Sequence, residues 1–197
     1  MHKRLGVEIE NFLRTPSAGV GKIFNEHGLQ LELGIYLRCL GYEVQFERPF
    51  KIDLRANSTK RPKRELDILV VHQGFKVAIE LKTPLAGRVP ETMYDFCADI
   101  QFVEQLIATE AVDSGFCLLM TNDRQFWHSD LRSEGSYGFF RSHAALLTGT
   151  VGKPTGTRDS TVILTGSYGL APSWKTLGNS NLMANARYLL VPILRSV

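Results

Sequence analysis

The chain predicts an α/β protein: a central mixed β-sheet with helices packed against its faces. Three observations lead there. Two stretches carry apolar residues at helical spacing, several short runs read as strands, and the two kinds follow one another as helix, strand, hairpin, helix, strand.

Taken in order, residues 1–24 read as an N-terminal extension, with EIENFLR as a helical turn and TPSAGVG as a loop. From Asn25 to Leu40, Leu29, Leu33, Tyr36, Leu37 and Leu40 recur at helical spacing, and Gly41 follows as a terminator. YEVQFERPF alternates like a strand. Arg55 to Arg64 is polar and basic, with no apolar residue larger than Ala, so it reads as a loop. Two apolar runs, LDILVV and FKVAIEL, then flank Gln73-Gly74 as a hairpin. TPLAGRVP connects to a second helix from Glu91 to about Thr109, in which Met93, Cys97, Ile100, Val103 and Ile107 keep the period. GFCLLMTND is a buried-type strand ending in turn residues. Beyond it RSHAALLTG reads as a short helix, STVILTGSYG as a strand and RYLLVPILRSV as a final strand. A single domain of 1–197 is expected, with a core at 25–127 and a C-terminal elaboration at 128–197.

Composition bounds the function classes. Apolar residues make up 44% and charged residues 22%, as in ordinary globular proteins. No run approaches the roughly 20 apolar residues of a membrane span, and the N-terminus lacks an apolar signal region, so a cytoplasmic protein with no membrane partner is expected. Cys39, Cys97 and Cys117 lie far apart without a CxxC pair, which suggests reduced core thiols. A net charge of +3 is mild. Where the charges sit therefore matters more than their total.

The hairpin holds the informative charges. Asp67, Glu80 and Lys82 interrupt runs that otherwise want burial, and a buried charge is costly without a partner. A turn centred on Gln73-Gly74 sets Asp67 opposite Glu80 and Glu65 opposite Lys82. Directly opposed side chains have Cβ atoms about 4.5–5.5 Å apart, so two carboxylates placed this way repel. A shared divalent cation would offset the repulsion. Cross-strand salt bridges on a solvated face are the plainer alternative, but Leu69, Val71 and Ala78 lie on the same face and argue for a cleft floor.

Asp67, twelve intervening residues, then Glu80-Leu81-Lys82 resembles the PD-(D/E)xK nuclease superfamily, and the element order over 25–127 is similar to its α-β-β-β-α-β restriction-endonuclease-like core. Leu66 stands where the motif's Pro would be. The resemblance implies a Mg²⁺-dependent endonuclease or exonuclease hydrolysing phosphodiester bonds, with DNA favoured over RNA and Mn²⁺ able to substitute. Asp67, Glu80, the Leu81 carbonyl and Glu32 would hold the metal, with Glu26 in reserve for Glu32. Lys82 would assist the attacking water. Glu65, Gln101 and Gln105 are expected around this set. Asp95 and Asp99 form a like-charge pair at i,i+4 that reads as a solvated helix face. Arg55, Lys60, Arg61, Lys63 and Arg64 are expected to grip phosphates. A homodimer is compatible with the family. The alternative is a non-catalytic nucleic-acid-binding or assembly protein on the same fold. Other motifs fail: GVGK at 19–22 lacks the P-loop's first Gly and its Ser or Thr, and VAIELK has no kinase motifs around it.

Overall fold

The computed structural model describes residues 1–15, 21–51, 63–84, 87–128, 135–154, 161–179 and 182–195. Its centre is a six-stranded mixed sheet in the order β1-β2-β3-β4-β8-β7, comprising β1 (Glu43–Lys51), β2 (Lys63–His72), β3 (Phe75–Lys82), β4 (Ser114–Thr121), β7 (Lys175–Thr176) and β8 (Arg187–Ile193). The α/β class and the mixed sheet expected from sequence are therefore present. β3 and β4 run parallel and the remaining neighbours antiparallel.

Alternation along the strands divides the core between two faces. Ile68, Val70, Val77, Ile79, Leu118 and Met120 pack beneath α1 (His2–Arg14) and α2 (Glu26–Cys39). Leu69, Ala78, Cys117, Leu119, Leu189 and Val191 face α3 (Val89–Ala108), beyond which lie α4 (Ser136–Arg141) and a separate hairpin of β5 (Leu147–Gly152) and β6 (Thr161–Tyr168). α2 begins where Asn25 accepts a hydrogen bond from the Gly28 amide at 2.8 Å.

Two expectations are corrected. The N-terminal extension opens with a 13-residue helix, longer than the single turn expected. Leu5, Ile9, Phe12 and Leu13 are buried on one side of it, spaced i, i+4, i+7 and i+8. RSHAALLTG is not a helix: α4 ends at Arg141 and β5 begins at Leu147. Cys97 and Cys117 are buried as expected, whereas Cys39 is exposed at the end of α2. Among the described residues no helix is long and apolar enough to cross a membrane.

α3 approaches β4 closely at Gly115, where a Cβ would lie 2.3 Å from Val103 Cγ1 and 3.0 Å from the Ala78 carbonyl. Gly115→Ala should therefore destabilise the protein by about 1–3 kcal/mol. Urea unfolding followed by circular dichroism measures it; an unchanged midpoint would mean that α3 is not seated there.

Candidate metal and phosphodiester site

The β2–β3 ladder pairs His72 with Phe75 and runs outward to Ile68 with Ile79, in the register expected from the turn. It stops one residue short of Asp67 and Glu80. In place of the next ladder step, the Leu81 amide donates to Asp67 Oδ2 at 2.7 Å. On the other side of β2, Glu47 adopts a left-handed φ of 49° between the ladder pairs Phe46–Ile68 and Arg48–Leu66, a conformation a non-glycine residue adopts only when its surroundings hold it there. Gln30, buried on α2, fills this gap. Its amide donates to the Asp67 carbonyl at 2.7 Å and to Glu47 Oε1 at 2.6 Å. The backbone that carries Asp67 is thus held by a side chain as well as by its neighbouring strands.

Glu80 and Lys82 follow Ala78 on the face turned toward α3. Glu80 is buried, and so is Asp99 on α3. Arg64, at the start of β2, lies between them: its guanidinium pairs with Asp99, sits 3.6 Å from Glu80 Oε2 and rests over the Phe102 ring at 4.2 Å. Lys82 Nζ is 3.5 Å from Asp99 Oδ2 and 3.3 Å from Glu26 Oε2, so it links α3 to the first turn of α2. Four carboxylates (Glu26, Asp67, Glu80, Asp99) thus share two cations. Buried oxygens remain without hydrogen-bond partners: Glu80 Oε1, Asp99 Oδ2 and the hydroxyl of Thr83, the residue after Lys82.

The protonation equilibria record this excess of acid. Burial, with Glu26 and Asp99 nearby, raises Asp67 to about 7 despite the bond from Leu81 and the charge of Lys82. Burial and the charges of Asp99 and Asp67 hold Glu80 well above the ordinary carboxylate range, against the pull of Arg64 and Lys82. Burial also raises Asp99, again opposed by Lys82 and Arg64. For Lys82, burial alone would lower the pKa; Asp99 and Glu26 reverse this and keep the ammonium charged above the usual lysine range. All of these shifts follow from desolvation and neighbouring charge.

Several expected site residues sit elsewhere. Glu32 accepts a 3.4 Å hydrogen bond from the Gly21 amide, and Glu26 is the α2 acid that meets Lys82. Glu65 pairs with Lys63 at 2.7 Å on the exposed surface, because the ladder ends before Lys82 could face it. Gln101 donates to the Ile163 carbonyl at 2.9 Å and so braces β6. Gln105 lies one turn further along α3, and its Oε1 is buried without a partner. Within the basic set, Arg64 is turned inward onto acids, while Arg55, Lys60 and Arg61 lie outside the described residues. Asp99 is not on a solvated face: it is 4% exposed, and its pairing with Arg64 explains how a carboxylate is tolerated there. The sequence marks Asp99 only by the like-charge spacing with Asp95, and nothing in it marks Gln30.

Among the described residues, no three His, Cys, Asp or Glu side chains converge closely enough to hold a metal ion. Arg64 gives the physical reason, since its guanidinium stands between Glu80 and Asp99. The donor set still suits a hard cation. It is all oxygen, carries excess negative charge and contains unpartnered buried oxygens.

No model of a known protein family and no curated protein matches the chain. A comparison with solved structures found a crystal structure of SSO0001 with 15% identity and a TM-score of 0.30. The match covers 48% of this chain and 47% of that one, and a likeness this slight carries no argument about fold or function.

The raised Asp67 value makes a signed prediction for the metal-free protein. Its folded pKa of about 7 exceeds the ordinary 3.8, so folding favours the protonated acid. That contribution is intact below pH 4, is lost as pH rises to about 7, and changes no further above. Asp67→Asn keeps an oxygen for the Leu81 amide and removes the titration. In EDTA the variant's stability advantage should therefore grow from pH 4 to 7 by an amount on the order of a few kcal/mol, then level off. Denaturant melts across that range measure it, and an advantage independent of pH would show that Asp67 is not held in this environment.

Proposed function

We propose that the chain is a Mg²⁺-dependent nuclease of the PD-(D/E)xK type acting on DNA phosphodiester bonds. The observation that carries this reading is the concentration of acid at the end of β3. Asp67, Glu80 and Asp99 are withdrawn from water together with two cations, Glu80 Oε1 is buried without a partner, and Asp99 Oδ2 makes no hydrogen bond and meets only Lys82 at 3.5 Å. Such a cluster is unfavourable by itself and becomes favourable with a further positive charge.

Asp67, Glu80 and the Leu81 carbonyl would hold the metal, with Glu26 on α2 in the position expected of Glu32. When bound, a divalent ion lowers the pKa of water and neutralises charge on a phosphoryl group. The chain's own residues divide the remaining work. Lys82 stays an ammonium at neutral pH because Asp99 and Glu26 flank it. Its role is to orient the attacking water and to stabilise negative charge developing on the phosphate, rather than to remove a proton. Asp99 positions both Lys82 and Arg64. Gln30 and the Leu81 amide fix Asp67 from its two ends. Arg64 neutralises Asp99 and Glu80 in the metal-free protein, and its guanidinium would offer a charge-assisted contact to a phosphate if it were withdrawn from Glu80.

The rival is a non-catalytic binding or assembly protein in which Arg64 and Lys82 simply balance the acids, and the ion pairs present are compatible with it. Metal linkage separates the two. Mg²⁺ that binds only the folded protein stabilises it by about 2.7 kcal/mol at a hundredfold excess over Kd. The nuclease reading expects that gain in the wild type and in Lys82→Ala, and its loss in Asp67→Asn and Glu80→Gln. All three variants should cut a mixed panel of linear, nicked, branched and single-stranded DNA at least about a hundredfold more slowly. Thermal melts with no response to Mg²⁺, together with absence of cleavage by the wild type, would favour the rival.

A further inference from the structure

A second chemical surface lies on the same edge and face of the sheet. β4 ends at Thr121, opposite Arg187 at the start of β8. The chain then turns through Arg124–Phe126 to Trp127. Trp127 and Trp174 meet with ring centroids 5.6 Å apart, tilted by 57°. The guanidinium of Arg187, an exposed residue, lies 5.4 Å from the Trp127 ring centroid. The short elements beneath are bonded into one support: Arg141 Nε donates to the Gln125 carbonyl at 2.8 Å, and Trp174 Nε1 to the Phe140 carbonyl at 3.0 Å.

Burial distinguishes these rings from core filling. Phe126 and Phe140, next to them, are 1% and 0% exposed, whereas Trp127 and Trp174 remain half-buried, and the nearby Tyr137 ring is covered by the Arg141 guanidinium at 4.0 Å. Arg187 and Arg124 are exposed, and among the described residues neither makes an ion pair with a carboxylate. Both tryptophans pack against the α3-side core, the side on which Glu80 and Asp99 lie.

Register places this surface near the candidate site. Lys82 pairs with Leu119, and Arg187 with Thr121 on the same strand. Two interstrand steps of about 4.8 Å and two residues of about 3.3 Å separate them, so their Cα atoms are about 12 Å apart. That is the length of three or four stacked nucleotides at about 3.4 Å each.

We infer that Trp127 and Trp174, rimmed by Arg124 and Arg187, form a stacking platform for unpaired DNA bases. The substrate therefore reaches the acidic site with a single-stranded segment. Partly exposed rings on a bonded support offer a π-face to bases of any sequence, and arginines with no carboxylate partner among the described residues offer charge to phosphates. Bases within an intact duplex have no free faces to present. This inference deepens the nuclease reading and rests on it for the direction of the strand.

Trp127 and Trp174 are the chain's only two tryptophans, so intrinsic fluorescence reports this surface alone. The test titrates full-length Lys82→Ala protein, used to suppress turnover, with oligodeoxythymidine and with a blunt duplex in Mg²⁺, following emission and DNA anisotropy together. Single strands should quench emission and the duplex should not. Trp127→Leu and Arg187→Ala, each added to that protein and checked for folding by circular dichroism, should weaken single-strand binding about five- to a hundredfold. Equal quenching by duplex, unchanged emission while anisotropy reports binding, or no binding at all would overturn the platform. The two readings can fail separately. Cleavage by the wild type without single-strand-selective quenching removes only the platform, and selective quenching without cleavage removes only the nuclease.

Discussion

Carboxylates carried out of water at the end of β3 constrain everything around them. Glu80 and Asp99 face each other across the sheet–helix interface with almost no exposure, and Asp67 adds a third acid from the neighbouring strand. Removing a charge from water costs several kcal/mol after relaxation. The protein answers with Arg64 and Lys82, the Leu81 amide on the Asp67 carboxylate and elevated pKa values. The answer is incomplete, because Glu80 Oε1 has no hydrogen-bond partner and Asp99 Oδ2 has only the Lys82 ammonium at 3.5 Å. A core under no other demand would hold apolar residues at these positions at lower cost.

The architecture delivers the acids to one place by changing strand sense. β2 and β3 are antiparallel and β3 and β4 parallel, so the end of β3 is flanked by the start of β2 and the end of β4. The early end of the β2–β3 ladder frees Asp67 to bond to the Leu81 amide. α3 crosses above with Asp99, while α2 starts beside the sheet edge with Glu26. Thr121, at the end of β4, donates to the Pro84 carbonyl at 3.3 Å and so ties the segment after β3 to the turn that leads to Trp127.

Local pattern made part of this legible in the sequence. Apolar periodicity marked α2 and α3, alternation marked β1, two apolar runs marked the hairpin, and Gln73-Gly74 fixed its register, from which the facing of Asp67, Glu80 and Lys82 follows by counting. Contacts between distant segments left no such trace. Arg64 meets Asp99 thirty-five residues away, and either side chain alone is indistinguishable from a solvated charge. Gln30 takes its role from an irregularity at Glu47 that periodicity cannot reveal. In α1, the apolar stripe is interrupted by Lys3, Arg4, Glu8 and Glu10, so only the turn EIENFLR was legible of a longer helix that exists through packing. The short α4 lies between Gly135 and a strand start and never completes a recognisable period.

On the proposed function, a divalent ion is the better counter-charge for the acid cluster that Arg64 and Lys82 hold. A crystal of the protein soaked in Mn²⁺, with anomalous scattering recorded at the manganese edge, should show an anomalous peak within coordination distance of the Asp67 and Glu80 carboxylates, with the Arg64 guanidinium withdrawn from Glu80 and Lys82 retained beside Asp99. An undisturbed Arg64 with no peak between Asp67 and Glu80, at Mn²⁺ concentrations well above those of Mg²⁺ in a cleavage buffer, would contradict it.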